Sequence, residues 1–492
     1  MRKYVRDQII TLLQTIWEGA KHGKKASPAD RVIIFSDCCA ALTSISNSLR
    51  NGLTSERFAS YEKMLAEIEM VFAAIINSIA DSQPAPVYFQ RCKDLLRMLK
   101  KELSKEAEVK IEVVFMPYKA SMWDSFESVW LAAKNDERCN PVVMPIPYYD
   151  RNPDQSLGAL HYEGEQYPEY VPIVHYDKYD LHTRKPDVIY IHNPYDEGNY
   201  ITTVDPRFYS YNLKKFTAML VYIPYFIAGA YVDLQAFAQK HITACVHAVD
   251  KIVVQSNKHK QLYVASGIAE KKLLALGSPK LDGIVQPNTI NKAAIPADWQ
   301  KKLSGKKPVV LNSSIGSLLN DPNYLTKLKE RLAIISAYEE LTLIWRPHPL
   351  LETTILSMRP AWHEEYREIL RMVANNDNAI MDQSADTMPA TAVSAGMISD
   401  MSSWARQYMA TGKPVLLLNG KSELKKDRIY IFDHFSCYFL HDGCSIETFC
   451  DMIINGTDAR KGERLRALKT SMVHAEGSCG EKIHKTIISL LE

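Results

Sequence analysis

The 492-residue chain lacks the signals of several large protein classes. No run approaches the roughly 18 consecutive apolar residues of a membrane-spanning helix. The start, Met-Arg-Lys-Tyr-Val-Arg-Asp, has no clean apolar block behind it, so no signal peptide is expected and the expected location is the cytoplasm. Its nine cysteines are scattered, with no Cys-x-x-Cys pair and no His/Cys spacing of a zinc site, so reduced thiols and no metal are expected. Charge of one sign is lacking too. The net +2 argues against nucleic acid as a partner, although paired lysines such as Lys214-Lys215 and Lys425-Lys426 could face an anionic surface. There is no Gly-x-Gly-x-x-Gly, no P-loop, no Gly-x-Ser-x-Gly elbow and no His-Glu-x-x-His. No metal site is offered, and hydride transfer, ATP hydrolysis and serine hydrolase chemistry are therefore disfavoured.

What is present is an ordinary globular composition, 46% apolar and 24% charged, in a chain long enough for two or three domains. Residues 1–107 read as helical. Phe58, Tyr61, Leu65, Ile68, Phe72 and Ile75 recur at three- and four-residue spacings. This amphipathic region suits a packing or dimerisation appendage, with peripheral membrane contact and a homo-oligomer the alternatives. From about residue 108 short apolar runs alternate with helical stretches. The expected strands are Ile111–Met116, Val142–Ile146, Val188–Ile191, Leu220–Ile223 and Ile252–Val254, with helices over Phe126–Lys134 and Lys258–Ser266. A Pro- and Lys-containing boundary follows at 285–307. The alternation then restarts with Val309–Asn312, Leu341–Ile344, Ala379–Met381, Val393–Ile398 and Val415–Leu418, and a last helix over 480–491. Such alternation predicts parallel sheets covered on both faces. The expected division is a helical region (1–107), a first Rossmann-like domain (108–300) and a second (301–492), with a cleft between the last two.

Ligands of open α/β sheets bind beyond the carboxyl ends of strands, so motifs that follow strands matter most. Trp345-Arg346-Pro347-His348-Pro349 follows one strand. Its prolines fix the loop, Arg346 offers a planar fork for phosphate, and His348 can exchange a proton near neutral pH. Ser399-Asp400-Met401-Ser402-Ser403 stands between a strand and a helix. Ser402 or Ser403 caps that helix and places hydroxyls and amides for an anion, while Asp400 orients the loop, meets a sugar hydroxyl or pairs with a cation. Gly277-Ser278-Pro279-Lys280-Leu281-Asp282 carries a lysine near the domain junction. Ile191-His192-Asn193-Pro194-Tyr195-Asp196 ends a first-lobe strand, with Asp196 or Asp187 available to set the His192 tautomer.

Arg346-Pro347-His348-Pro349, the Ser399–Ser403 segment, Gly277–Asp282 and Gly412-Lys413-Pro414-Val415 together resemble the signature of the CDP-glycerol:poly(glycerophosphate) glycerophosphotransferases. The resemblance covers roughly residues 250–420. It implies the GT-B fold and transfer of glycerol phosphate, or a related polyol phosphate, from a CDP-alcohol donor to a hydroxyl acceptor, with release of CMP and no obligatory cofactor. The implied acceptor is a polyol-phosphate or glycan chain, including a lipid-linked one, at the inner face of the membrane. Arg346, Lys280, Ser402, Ser403 and Asp400 would hold the donor diphosphate, with His348 and His192 catalytic. The family's His-Gly-Thr-Pro segment is missing here. Leu220-Val221-Tyr222-Ile223-Pro224-Tyr225-Phe226 stands in its place, so the base falls to His192 or Tyr225, with Asn193 beside them on the acceptor side. A GT-B glycosyltransferase using a nucleotide sugar and a non-catalytic scaffold in surface-polymer assembly are the alternative readings.

Overall fold

The structure, a computed structural model, describes residues 1–78, 86–285, 295–384, 386–418, 428–440 and 442–491. Residues 1–107 form four helices: α1 (Lys3–Gly23), α2 (Pro28–Gly52), α3 (Ser55–Asn77) and α4 (Pro86–Ser104). Ser27 and Thr54 cap α2 and α3 through their hydroxyl oxygens, and Pro28 occupies the first turn, where its missing N–H costs nothing. The expected Phe58–Ile75 stripe is buried, together with Leu13, Phe35, Leu42 and Leu99. Phe35 meets Phe72 and Phe89 edge-on at 5.2 and 6.1 Å. By length and mean hydropathy alone α2 could cross a membrane, although polar residues interrupt its apolar run. Here one face of it packs in the bundle, and the buried Arg31 guanidinium donates to the Gly23 and Ala26 carbonyls.

The first lobe contains β1 (Ile111–Met116), β2 (Cys139–Val143), β3 (Tyr148–Arg151), β4 (Leu157–His161), β5 (Val188–Ile191), β6 (Thr202–Val204), β7 (Met219–Tyr222), β8 (Ala230–Tyr231), β9 (Lys251–Val254) and β10 (Leu273–Ala275). Its main sheet is parallel, in the order β10-β9-β7-β5-β1-β2. The strand expected over Val142–Ile146 is β2 instead, ending at Val143. Pro145 and Pro147 cannot donate to a ladder, and the chain turns into the small antiparallel sheet β4-β3-β6.

The second lobe contains β11 (Lys307–Ser313), β12 (Leu341–Pro347), β13 (Ala379–Met381), β14 (Gly396–Ser399), β15 (Val415–Leu417), β16 (Ile429–Tyr430) and β17 (Tyr438–Phe439). Its parallel sheet runs β13-β12-β11-β14-β15-β17. The strand expected over Val393–Ile398 starts later, because Met388–Val393 is a helix with Pro389 in its first turn.

The two lobes are the GT-B-like pair of Rossmann-type units, joined by more than the linker. β16 pairs antiparallel with β8, so a short ribbon is shared between them. The Cys479–Leu491 helix returns to the first lobe. There Ile483, Ile487 and Ile488 join Val113, Phe115, Val129 and Trp130 in one core. Asp282, at the junction, accepts from the Cys479 and Gly480 amides at 3.1 and 2.7 Å and fixes where that helix begins.

Candidate functional site in the second lobe

In the second sheet the chain steps outward from β11 to β12 and β13 on one side, then crosses back to β14 on the other side of β11. The strand order therefore reverses between β11 and β14, which is where open α/β sheets accept ligands. A pocket of about 960 Å³ opens there. Ser314, Gly316 and Ser317 after β11, Asp400 and Met401 after β14, Leu418 after β15 and Leu440 after β17 line it, with Tyr324, Lys327 and Arg331 along one side of the Tyr324–Ser336 helix.

The Ser399–Ser403 segment is organised by its own serines. Ser402 accepts the Ala405 N–H at 3.0 Å and so caps the short Ser403–Tyr408 helix. Asn312 on β11 donates to Ser399 Oγ at 2.9 Å and Ser402 Oγ at 3.4 Å, clamping the two strand ends together. Asp400 accepts from Ser314 Oγ at 2.6 Å, which joins the two loops that flank the reversal. Ser403 turns away from the pocket, and its Oγ accepts the Ile227 N–H of the first lobe at 3.4 Å. Beside it Arg406 Nε donates to the Ile227 carbonyl at 3.1 Å. Its guanidinium lies over Gly229, where a Cβ would stand 2.6 Å from Nη1, so glycine permits the approach.

The other expected site residues are not gathered around this pocket. Arg346 is buried and its guanidinium is engaged. Nη1 reaches Asp382 at 2.5 Å and Nη2 donates to the Ser384 carbonyl at 2.6 Å. It holds the loop after β13 rather than presenting a fork to a ligand. His348 is exposed, and its Nδ1 accepts the Leu350 N–H at 3.2 Å. Burial of part of the ring pulls its imidazole below the usual histidine range. Lys280 is also buried, with Nζ 2.5 Å from both Asp124 oxygens, and Gln407 reaches the same carboxylate at 3.4 Å. Asp124 belongs to the first lobe and Gln407 to the second, so this cluster ties lobe to lobe.

His192 does not offer a base to the cleft. It is fully buried, its ring stacked on Phe126 at 4.8 Å. Nε2 accepts the Tyr118 N–H at 3.2 Å. Nδ1 is 3.0 Å from Ser125 Oγ, whose own proton goes to the Met122 carbonyl, so the ring is neutral with its proton on Nδ1. Burial, and then Lys280, push it down to about 3. Neither expected acid sets the tautomer. Asp187 accepts the Glu112 N–H and Asp196 holds Ser210. Tyr225 lies 6.0 Å from the His192 ring, and burial raises its phenol far above the usual range. Asn193 closes a local turn on the Tyr195 N–H.

Three residues missed in the sequence matter here. Arg331 lines the pocket from the middle of a helix with no motif around it. Glu127, at the start of α5 (Glu127–Lys134), faces Asp124 and the second-lobe Asp386. Burial first, then those two carboxylates, push it up to about 7. Arg406 joins the lobes. No local spacing distinguishes any of the three from surface charge.

No family model and no curated protein matches the sequence. Among solved structures, a protein from Listeria monocytogenes assigned as a UDP-N-acetylglucosamine 2-epimerase aligns over 78% of this chain and 97% of its own. The TM-score is 0.50 at 14% identity. The S. aureus MnaA–UDP co-structure aligns over 78% and 98%, at TM-score 0.49 and 12% identity. The wall teichoic acid polymerase TagF with CDPG aligns over 87% and 99%, at TM-score 0.45 and 13% identity. At such identities the Listeria likeness speaks for the fold.

Proposed function

We propose that this chain is a GT-B transferase that binds a CDP-alcohol in the second-lobe pocket and transfers its polyol phosphate to a hydroxyl acceptor, with release of CMP. One observation carries the reading. The pocket stands at the reversal of strand order, and its wall is built by Asp400 and Met401 of the motif that resembles the glycerophosphotransferase signature. Its volume of about 960 Å³ is at the upper end of the range for small-molecule sites. The Asp400 carboxylate, held by the Ser314 hydroxyl, is placed to accept from a ribose or polyol hydroxyl. The lining mixes such groups with Leu418 and Leu440, which suits a nucleoside with a polar tail.

An in-line displacement at the β-phosphorus needs only positioning, charge stabilisation and a proton acceptor. The acceptor oxygen bonds to phosphorus as the bridging oxygen leaves with CMP. His192 is unsuited to take the acceptor proton, because both of its nitrogens are engaged. Glu127, which accepts from the Tyr170 hydroxyl and faces Asp386 of the second lobe, has its ionisation near neutrality and takes that role in this reading.

Purified protein incubated with CDP-glycerol and a glycerol-phosphate primer is expected to release CMP, and Asp400→Asn to lower that rate at least tenfold. CMP release equal in the two proteins removes the reading. Release of UDP from a nucleotide sugar under the same conditions assigns the pocket to glycosyl transfer instead.

A further inference from the structure

Among the described residues, the pocket holds two polar groups that form no well-made hydrogen bond. Tyr324 is 3% exposed, and its Oη lies near Ser313 but, among the described residues, makes no hydrogen bond of good geometry. Arg331 is half-buried two turns further along the same helix and, among the described residues, makes no hydrogen bond or ion pair. Its neighbours are accounted for. Lys327 closes on Asp321 at 2.7 Å, Asp400 takes the Ser314 hydroxyl, and Glu330 and Glu447 are exposed to water. Burial pulls the Arg331 guanidinium below its ordinary range, and Asp400 is the first of the carboxylates that offset it. A buried polar group without a partner is costly, and a guanidinium is a planar fork matched to phosphate oxygens. Arg346 and Lys280 are differently placed, since Asp382 and Asp124 already hold them at 2.5 Å.

We propose that Arg331, with the Tyr324 hydroxyl beside it, takes a phosphate of the donor, the role that the motif resemblance gives to Arg346 and Lys280. This rests on the donor reading above. The pocket then binds a nucleotide from two sides. Asp400 accepts from hydroxyls on the strand-end side, and Arg331 donates to phosphate oxygens on the helix side.

Isothermal titration of the full chain with CMP, cytidine and inorganic pyrophosphate tests this, in the wild type and in Arg331→Gln, a substitution that keeps helix propensity. Arg331→Lys and circular dichroism guard against misfolding. A charge-assisted hydrogen bond corresponds to about a tenfold or larger effect. Wild type is therefore expected to prefer CMP over cytidine by at least about tenfold, and Arg331→Gln to reduce that preference to within about twofold and lose pyrophosphate binding. Arg331→Lys is expected to fall between. A CMP preference that survives in Arg331→Gln overturns the proposal, and so does a wild type that binds none of the anions. A preference lost in Lys280→Gln but kept in Arg331→Gln returns the role to Lys280. Pyrophosphate binding that depends on Arg331, without any cytidine-nucleotide binding, keeps the anion site and removes the CDP-alcohol donor.

Discussion

His192, Lys280 and Arg346 at the cleft and Tyr324, Arg331 and Asp400 in the second-lobe pocket are similar kinds of side chain put to opposite use. In the first group each polar group meets an internal partner. His192 has Tyr118 and Ser125, Lys280 has Asp124, and Arg346 has Asp382 and the loop behind it. In the second group, among the described residues, the Arg331 guanidinium makes no hydrogen bond or ion pair, Tyr324 Oη has only Ser313 near it, and Asp400 is held by a single hydroxyl. A buried charge that is paired at 2.5 Å stabilises a loop or a domain seam, whereas one left without a partner is available to a ligand. Residue type and position along a strand do not separate the two cases.

The contrast fails most visibly if Arg346 proves to be a ligand group. Asp382→Ala leaves its guanidinium buried without a carboxylate and is expected to cost about 3–5 kcal/mol of unfolding free energy, measured by urea denaturation. Recovery of that loss by added pyrophosphate would place an anion at Arg346 and erase the distinction. Next in size, His192→Ala removes a stacked buried ring and leaves the Tyr118 N–H unpaired, at a cost of about 2–4 kcal/mol. The pH dependence sharpens the same point. His192, His241 and His434 are each pushed down to about 3 by burial, against roughly 6.5 in an unfolded chain. The unfolded state binds their protons first. Stability is therefore complete above about pH 6.5 and falls as pH drops toward 3, by up to about 1.4 kcal/mol per pH unit for each group. Urea midpoints between pH 7 and 4 should show a shallower slope for His192→Gln than for the wild type. The smallest effect is expected at Glu127. Its folded carboxyl ionises above an unfolded one, so its contribution is present below about pH 4.5 and is lost as pH rises through 7. Glu127→Gln should match the wild type at pH 4 and exceed it by on the order of 1 kcal/mol or more at pH 8. Equal stability at both would mean that neither burial nor the Asp124 and Asp386 carboxylates raise its ionisation.

Much of the architecture was legible in the chain. The Phe58–Ile75 stripe is the buried face of α3, and the strands Ile111–Met116, Val188–Ile191 and Ala379–Met381 stand where the apolar runs put them. The misplaced strand ends, at Val143 and Gly396, have local causes in Pro145 and in the helix that Pro389 begins. The candidate site was legible only in part. Asp400 lines the pocket and Ser402 caps the helix beside it, as their motif suggests, because a strand followed at once by serines builds a cap from local atoms. Ser403 faces the other lobe, which no spacing within five residues could show.

By itself the sequence determined the strand–helix alternation, the two-lobed class and the positions of hydroxyls and charges at strand ends, because those follow from side-chain periodicity and local chain stiffness. Only the tertiary structure decided which of those charges meet. Asp124 reaches Lys280 across 156 residues, Asp382 reaches Arg346 across 36, and Arg331 makes no hydrogen bond or ion pair among the described residues. Whether a buried charge is neutralised or waiting depends on atoms a few ångströms away in space, and sequence separation carries no information about that distance.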